Sequence, residues 1–293
     1  MASLQFLQRS QIDTTLWDAC VERETNGLIY FRSWYLDAMC TQWGALVWGH
    51  YKAVMPLPYR KKWGVKYVYQ PSFLQRLGVA GDTSLLQALK CAQQHFHFIH
   101  YNTAVVTPPA RFAMWQRSNF VVPLSRAYSA IQEGYRHECR NNIRKAQQRG
   151  CVLNREHNVQ RVIVAYRNAY AGLNTHAKAE DYNRLQLLFK NAVEQGHLNL
   201  YTVLDQSGND LFHGALMQDH KRLYYVLGAP TALGRQKRAT YFFVDQMLQQ
   251  HAGEERLFDF EGSDLPNVAR FYQSFGPQVE LYNTVRITPF TRM

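Results

Sequence analysis

The 293-residue chain is 46% hydrophobic and 14% aromatic and carries a formal net charge of +11. That is ample for one large domain or two ordinary ones, and no stretch approaches the ~18–20 uninterrupted apolar residues of a membrane span. Five scattered cysteines without CxxC spacing (Cys20, Cys40, Cys91, Cys139, Cys151) fit reduced thiols; with no basic, apolar leader at the start, the expected location is the cytoplasm.

In chain order the hydrophobic patterns predict helices over Thr14–Glu24 and Ser33–Gln42, then strands over Ala45–Trp48, Ala53–Tyr59 and Lys66–Gln70. A Gly-punctuated loop, Pro71–Gly81, leads to a helix, Ser84–His95, and a buried strand, Phe96–Ala104. His95, His97 and His100 lack nearby carboxylate or cysteine ligands at metal spacing, so no metal site is expected. Thr107–Ala110 through Pro123 forms the best boundary, because proline removes donors and keeps the preceding residue extended. The two resulting domains are residues 1–124 and 125–293.

The strongest single helix signal is Ser125–Arg149, with Ser125 as N-cap, Gly150 beyond its end and Gly134 inside it. Its spacing stacks Arg136, Arg140 and Arg144 on one face beside Lys145. Like charges at i, i+4 repel, so either an anion faces them or the face is merely solvated. Basic charge is spread widely: 12 Lys and Arg stand against 6 Asp and Glu up to Leu124, and 21 against 16 beyond it. Such a surface suits nucleic acid, anionic lipid or phosphate-bearing small molecules such as coenzyme A, or serves solubility alone.

The second half repeats the order of the first. Helices are predicted over Val159–Ala171 and Glu180–Gln195, strands over Leu198–Asp205, Leu211–Asp219 and Arg222–Gly228, a loop over Ala229–Arg238, a helix over Ala239–His251 and a strand over Leu257–Phe260. Identity between the halves is negligible, so the repeat lies in the patterns and points to a duplicated α/β module. Strand, basic glycine-containing loop and helix N-terminus together make an anion site from Gly234, Arg235, Gln236, Lys237 and Arg238. Asp259 and Glu261 share one face of the last strand by alternation, and mutual repulsion is expected to raise one of them toward a general base. Asp264 is a third carboxylate there, and a turn-forming role for Asp259 or Asp264 stands beside the catalytic one.

Five stretches carry a resemblance: Ala53–Pro58, Tyr69–Gly78, Arg140–Ala146, Gly228–Thr240, and Phe258–Asp264 with Phe271–Gly276. In that order they resemble the acyl-CoA N-acyltransferase (GNAT) superfamily, in its double-module branch of FemAB-like and CelD/BioF-like proteins. The resemblance implies an α/β (α+β) fold of two tandem GNAT-like modules, each a mixed, mostly antiparallel sheet flanked by helices. It implies an N-acyltransferase moving an acyl group from acyl-CoA to an amine, the donor held by the second module. The superfamily's donor loop, Q/R-x-x-G-x-G/A, finds its basic residues in Gly234–Thr240 but not its second glycine.

Acyl transfer needs an oriented donor, a neutral amine and a stabilised oxyanion. Glu261 is the candidate base or amine anchor, and Tyr225 the candidate acid for the leaving thiolate. Asp259, Gln70 and Arg76 are candidates for holding a small-molecule or peptide amine acceptor. Two other readings stand: a Fem-type transferase that takes its donor from aminoacyl-tRNA and acts on a cell-wall precursor, binding tRNA through Arg136, Arg140, Arg144 and Lys145, and a non-catalytic GNAT-fold binding protein.

Overall fold

The structure, a computed structural model, describes residues 4–104, 113–171, 177–263 and 265–291. The expected boundary at Thr107–Ala110 and the carboxylate of Asp264 lie outside them. Two compact units emerge, Met1–Arg117 with Leu281–Met293, and Ser118–Glu280.

The first unit holds β1 (Leu4–Gln8), α1 (Thr14–Arg23), α2 (Ser33–Met39), β2 (Trp43–Trp48), β3 (Ala53–Lys62), β4 (Val65–Val68), α3 (Leu85–His95) and β5 (Phe98–Ala104). Asp13 caps α1 by accepting from the amides of Thr15 and Leu16 at 3.0 and 3.1 Å, which satisfies donors the helix cannot. The inward face of α1 buries Trp17, Cys20 and Val21, and the Trp17 indole donates to Phe31 O at 2.7 Å. β2, Trp-Gly-Ala-Leu-Val-Trp, is buried at every position, which marks a strand covered on both faces.

β6 (Ala113–Pro123) and β12 (Gln278–Ile287) each run across the division between units. The second unit further holds α4 (Tyr128–Glu133), α5 (His137–Gln148), β7 (Val152–Glu156), α6 (Val159–Ala169), α7 (Ala179–Glu194), β8 (Leu198–Leu204), β9 (Asp210–Gln218), β10 (Arg222–Pro230), α8 (Ala232–Lys237), α9 (Ala239–Gln250), β11 (Leu257–Asp259) and α10 (Pro266–Gln273). Its core is aromatic: Phe212, Phe243, Phe258 and Phe260 pack with Tyr201, Tyr225 and Phe275. Phe243 of α9 is fully buried, and its truncation to alanine would cost about 3–5 kcal/mol.

The duplicated module is visible in the pairing. In the first unit the order is β1-β2-β3-β4-β5-β12, and in the second β6-β11-β10-β9-β8-β7. Each contains one parallel pair, β4 with β5 and β10 with β11, and every other described pair is antiparallel. A parallel pair needs a crossover, and α3 and α9 supply it. Two α/β modules of one plan, each a mixed, mostly antiparallel sheet with helices, are therefore present.

Three local expectations are corrected. The helix over Ser125–Arg149 is two helices, α4 and α5, parted at Gly134–Arg136. Gly134 is a poor helix former, and the Arg136 amide leaves the helical ladder to donate to Ser274 O at 2.8 Å. The bend lets Tyr135 sink and donate to Asp245 at 3.2 Å. The loop over Ala229–Arg238 is largely the helix α8, because Thr231 caps it through Gly234 N at 3.0 Å. β7 and α10, absent from the pattern reading, are too short for periodicity to register.

Candidate active site

β10 and β11 touch along only three residue pairs, Arg222 with Leu257, Leu223 with Phe258 and Tyr224 with Asp259. β10 then runs on to Pro230, with a register shift between Tyr225 and Leu227, while β11 stops at Asp259. The point where parallel strands part at their carboxyl ends is the usual ligand position in such sheets.

A buried ion cluster holds the strands at the point of parting. Arg222 donates to Asp259 at 2.8 Å and to Glu280 through both terminal nitrogens at 2.9 Å. Asn119 Nδ2 donates to the other Asp259 oxygen at 2.9 Å, and so does Glu261 N at 2.8 Å. Burial of the guanidinium works against its charge, but Glu280 and Asp259 outweigh it and push its pKa above the ordinary arginine range. Asp259 is 1% exposed with all of these partners, so its expected place on an acceptor is corrected. It holds the scaffold, and its bond to Glu261 N steadies the left-handed backbone there, φ 60°. That turn also takes Glu261 off the strand, so the expected shared face of the two carboxylates does not form.

Tyr225, on β10, is buried and packs its ring near Phe243, Phe258, Phe260 and Tyr272. A Cβ on Gly228 would stand 1.8 Å from the Tyr225 hydroxyl oxygen, so glycine makes room for that hydroxyl. Burial raises the Tyr225 pKa well above the phenol range, and the neighbouring Tyr272, Tyr170 and Tyr166 add to it. Tyr272 of α10 is raised for the same first reason, with Tyr170, Tyr166 and Glu261 contributing. Both therefore stay protonated at neutral pH as donors. Among the described residues neither hydroxyl finds a hydrogen-bond partner, whereas Tyr170 donates to Gly228 O at 3.0 Å.

The basic segment is only partly free. Lys237 Nζ is bound to Asp205 at 2.8 Å, the bond that chiefly lowers the Asp205 pKa. Arg149 donates to Gln236 O, so Gln236 acts through its backbone. Gly234 presses on β9, where a Cβ would stand 1.8 Å from Leu211 O. Arg238, φ 64°, joins α8 to α9, and no side chain caps the amides of α9. Arg235 and Arg238 are exposed. Arg235 borders a groove of ≈ 470 Å³ with Arg161, Asn168, Asp210, His213 and Thr231.

Other expected residues serve local structure or lie apart. Gln70, in the first unit, donates to Leu74 O at 2.6 Å and accepts from Asn102 N at 2.8 Å, closing the loop after β4. Arg76 is buried in that unit. Arg136 is the extended N-cap of α5, which corrects the three-arginine stack. Arg140 donates to Gln132 O at 3.4 Å and Arg144 to Asn141, while Lys145 lies in the last turn of α5. No group of three His, Cys, Asp or Glu able to hold a metal occurs among the described residues. Tyr272 and Tyr170 were not singled out in the sequence; the i, i+4 pair Tyr166 and Tyr170 was the available sign.

No family model matches the chain, and no curated protein matches it. Solved structures do match in shape. FemX aligns with TM-score 0.66 at 13% identity over 95% of this chain and 96% of its own. The C-terminal domain of a putative lysylphosphatidylglycerol synthetase from Agrobacterium fabrum aligns with TM-score 0.56 at 13% identity, covering 93% and 90%. A tandem GNAT protein from the clavulanic acid biosynthesis pathway aligns with TM-score 0.52 at 10% identity, covering 97% and 98%. The chain thus has the FemAB-like, double-module GNAT fold.

Proposed function

We propose that the protein is an acyl- or aminoacyl transferase, and specifically an N-acyltransferase taking its acyl group from acyl-CoA to an amine acceptor. The observation that carries this reading is the pair of buried phenols, Tyr225 on β10 and Tyr272 on α10, which pack together near Glu261 and find no hydrogen-bond partner among the described residues. The amine nitrogen attacks the acyl carbonyl carbon, the new C–N bond forms and the C–S bond to the carrier breaks. Glu261 takes the proton the amine sheds. A tyrosine hydroxyl, Tyr225 first, donates its proton to the leaving sulfur, and proton transfer from Glu261 restores it. The uncapped amides of α9, with Arg235 and Arg238, hold the donor's phosphates. The acceptor, a small-molecule or peptide amine, enters on the side of Glu261.

An aminoacyl-tRNA donor is the second reading, favoured by the likeness in shape to FemX and by the cations of α5. The same step then breaks a C–O ester. A non-catalytic protein of this fold is the third. Thermal-shift titration with acetyl-CoA, longer acyl-CoAs, free coenzyme A and total tRNA separates them. Ligand at 100 times Kd stabilises by about 2.7 kcal/mol. A rise with acyl-CoA that Arg235→Ala/Arg238→Ala abolishes supports the first reading. Salt-sensitive binding of tRNA alone supports the second, and silence toward all four supports the third.

A further inference from the structure

The hairpin of β3 and β4 ends in a two-residue loop, Trp63 and Gly64, bracketed by the pair Lys62 and Val65. Both loop residues have positive φ, 50° and 80°, as the tight hairpin turn requires. That turn favours Asn-Gly; tryptophan adopts the left-handed backbone only against a steric cost. The indole recovers little by burial, since Trp63 is 91% exposed, and a Cβ on Gly64 would meet no atom within 4 Å. The tip therefore projects into open space.

Cations surround it. Arg60 and Lys62 alternate onto one face of the hairpin, and Lys61 and Lys66 onto the other. Lys61 lies directly opposite Lys66 in the ladder, where like charges repel. Lys62 stands over the Trp63 ring at 4.4 Å and Arg60 over Tyr69 at 4.1 Å, and no carboxylate pairs with any of the four among the described residues. An exposed aromatic, a strained turn and an unrelieved cross-strand repulsion all disfavour the isolated hairpin. One partner relieves both electrostatic and apolar exposure: a plane that is anionic at its surface and accepts an indole just beneath it.

We propose that the β3–β4 tip docks the protein onto anionic lipid bilayers, with Trp63 entering the headgroup region and Lys61, Lys62 and Lys66 meeting lipid phosphates. Charge on both faces around one protruding ring fits a surface into which the tip dips. Stacking of single-stranded nucleic acid uses a basic groove that tracks the backbone, with aromatics along it, whereas the tip presents one ring at the end of a projecting turn.

The test is co-sedimentation of the full chain with vesicles of phosphatidylcholine alone and of phosphatidylcholine mixed with phosphatidylglycerol, at low and high salt. The wild type is expected to sediment with the mixed vesicles only, and salt releases it. Trp63→Asn suits the turn, so it keeps or raises the melting temperature while weakening binding roughly tenfold. Lys61→Gln/Lys62→Gln/Lys66→Gln weakens it roughly a hundredfold, at about fivefold per lysine. Absence of wild-type binding to the mixed vesicles at low salt overturns the proposal, and so does unchanged binding by both variants. Binding of total tRNA that displaces the protein from vesicles and is lost in Trp63→Asn reassigns the tip to nucleic acid. None of these readouts depends on the transfer reaction.

Discussion

Replacing Asp259 by alanine separates a scaffold carboxylate from one kept for a substrate. The substitution takes from Arg222 a bond of 2.8 Å and leaves it Glu280 alone, whose side chain is 28% exposed. A bond to a charged group contributes about 1.5–3 kcal/mol and an ordinary one about 1 kcal/mol. Asn119 Nδ2 loses its bond at 2.9 Å and keeps a weaker contact with Glu280 at 3.4 Å, and Glu261 N loses its acceptor at 2.8 Å. The expected loss is about 3–5 kcal/mol, the range for breaking a buried pair from one side. At 1.4 kcal/mol per tenfold that is a factor on the order of a thousand in the folding equilibrium. Asp259→Asn keeps an oxygen for Glu261 N while removing the charge, and should cost about half as much. Urea unfolding of the intact chain reads both. If the alanine variant loses less than about 1 kcal/mol, or matches the asparagine variant, the cluster does not hold β10 and β11 together and Asp259 is free for a ligand.

Gly228→Ala drives a methyl group into the Tyr225 hydroxyl at 1.8 Å and should destabilise by about 1–3 kcal/mol; an unaltered melting curve would refute the close approach. Thr231→Ala removes the cap of α8 and should cost about 1 kcal/mol in the same assay. Burial raises the Asp245 pKa above its ordinary value, against the hydrogen bonds from Tyr128 and Tyr135 that lower it. A raised folded pKa contributes stability that is fully present below the unfolded value near 3.9 and lost as pH rises through the folded one. The stability of Asp245→Asn relative to wild type should therefore climb as pH rises from 4 toward neutrality, measured by denaturant unfolding at each pH, and a flat difference would contradict the assignment.

The order of elements was legible in the sequence because it is written in local periodicity. The helices expected over Thr14–Glu24 and Ser84–His95 form close to those bounds, β2 is apolar throughout, and the second half repeats the sequence of helices, meander, crossover helix and strand. Strand alternation placed Glu261 on one face with Asp259, a placement that the left-handed turn at Glu261 undoes. Local spacing could not show that Arg222, 37 residues before Asp259 in sequence, and Glu280, 21 residues after it, would claim that carboxylate, because partners distant in sequence leave no period. Nor could it show Tyr272 beside Tyr225, or the bend that sends Tyr135 to Asp245. Hydrophobic patterning depends on neighbours three or four residues apart and so determines which segments are helix or strand. Which polar groups meet, and which hydroxyls are left without a partner, depends on where the strands part, and only tertiary packing decides that.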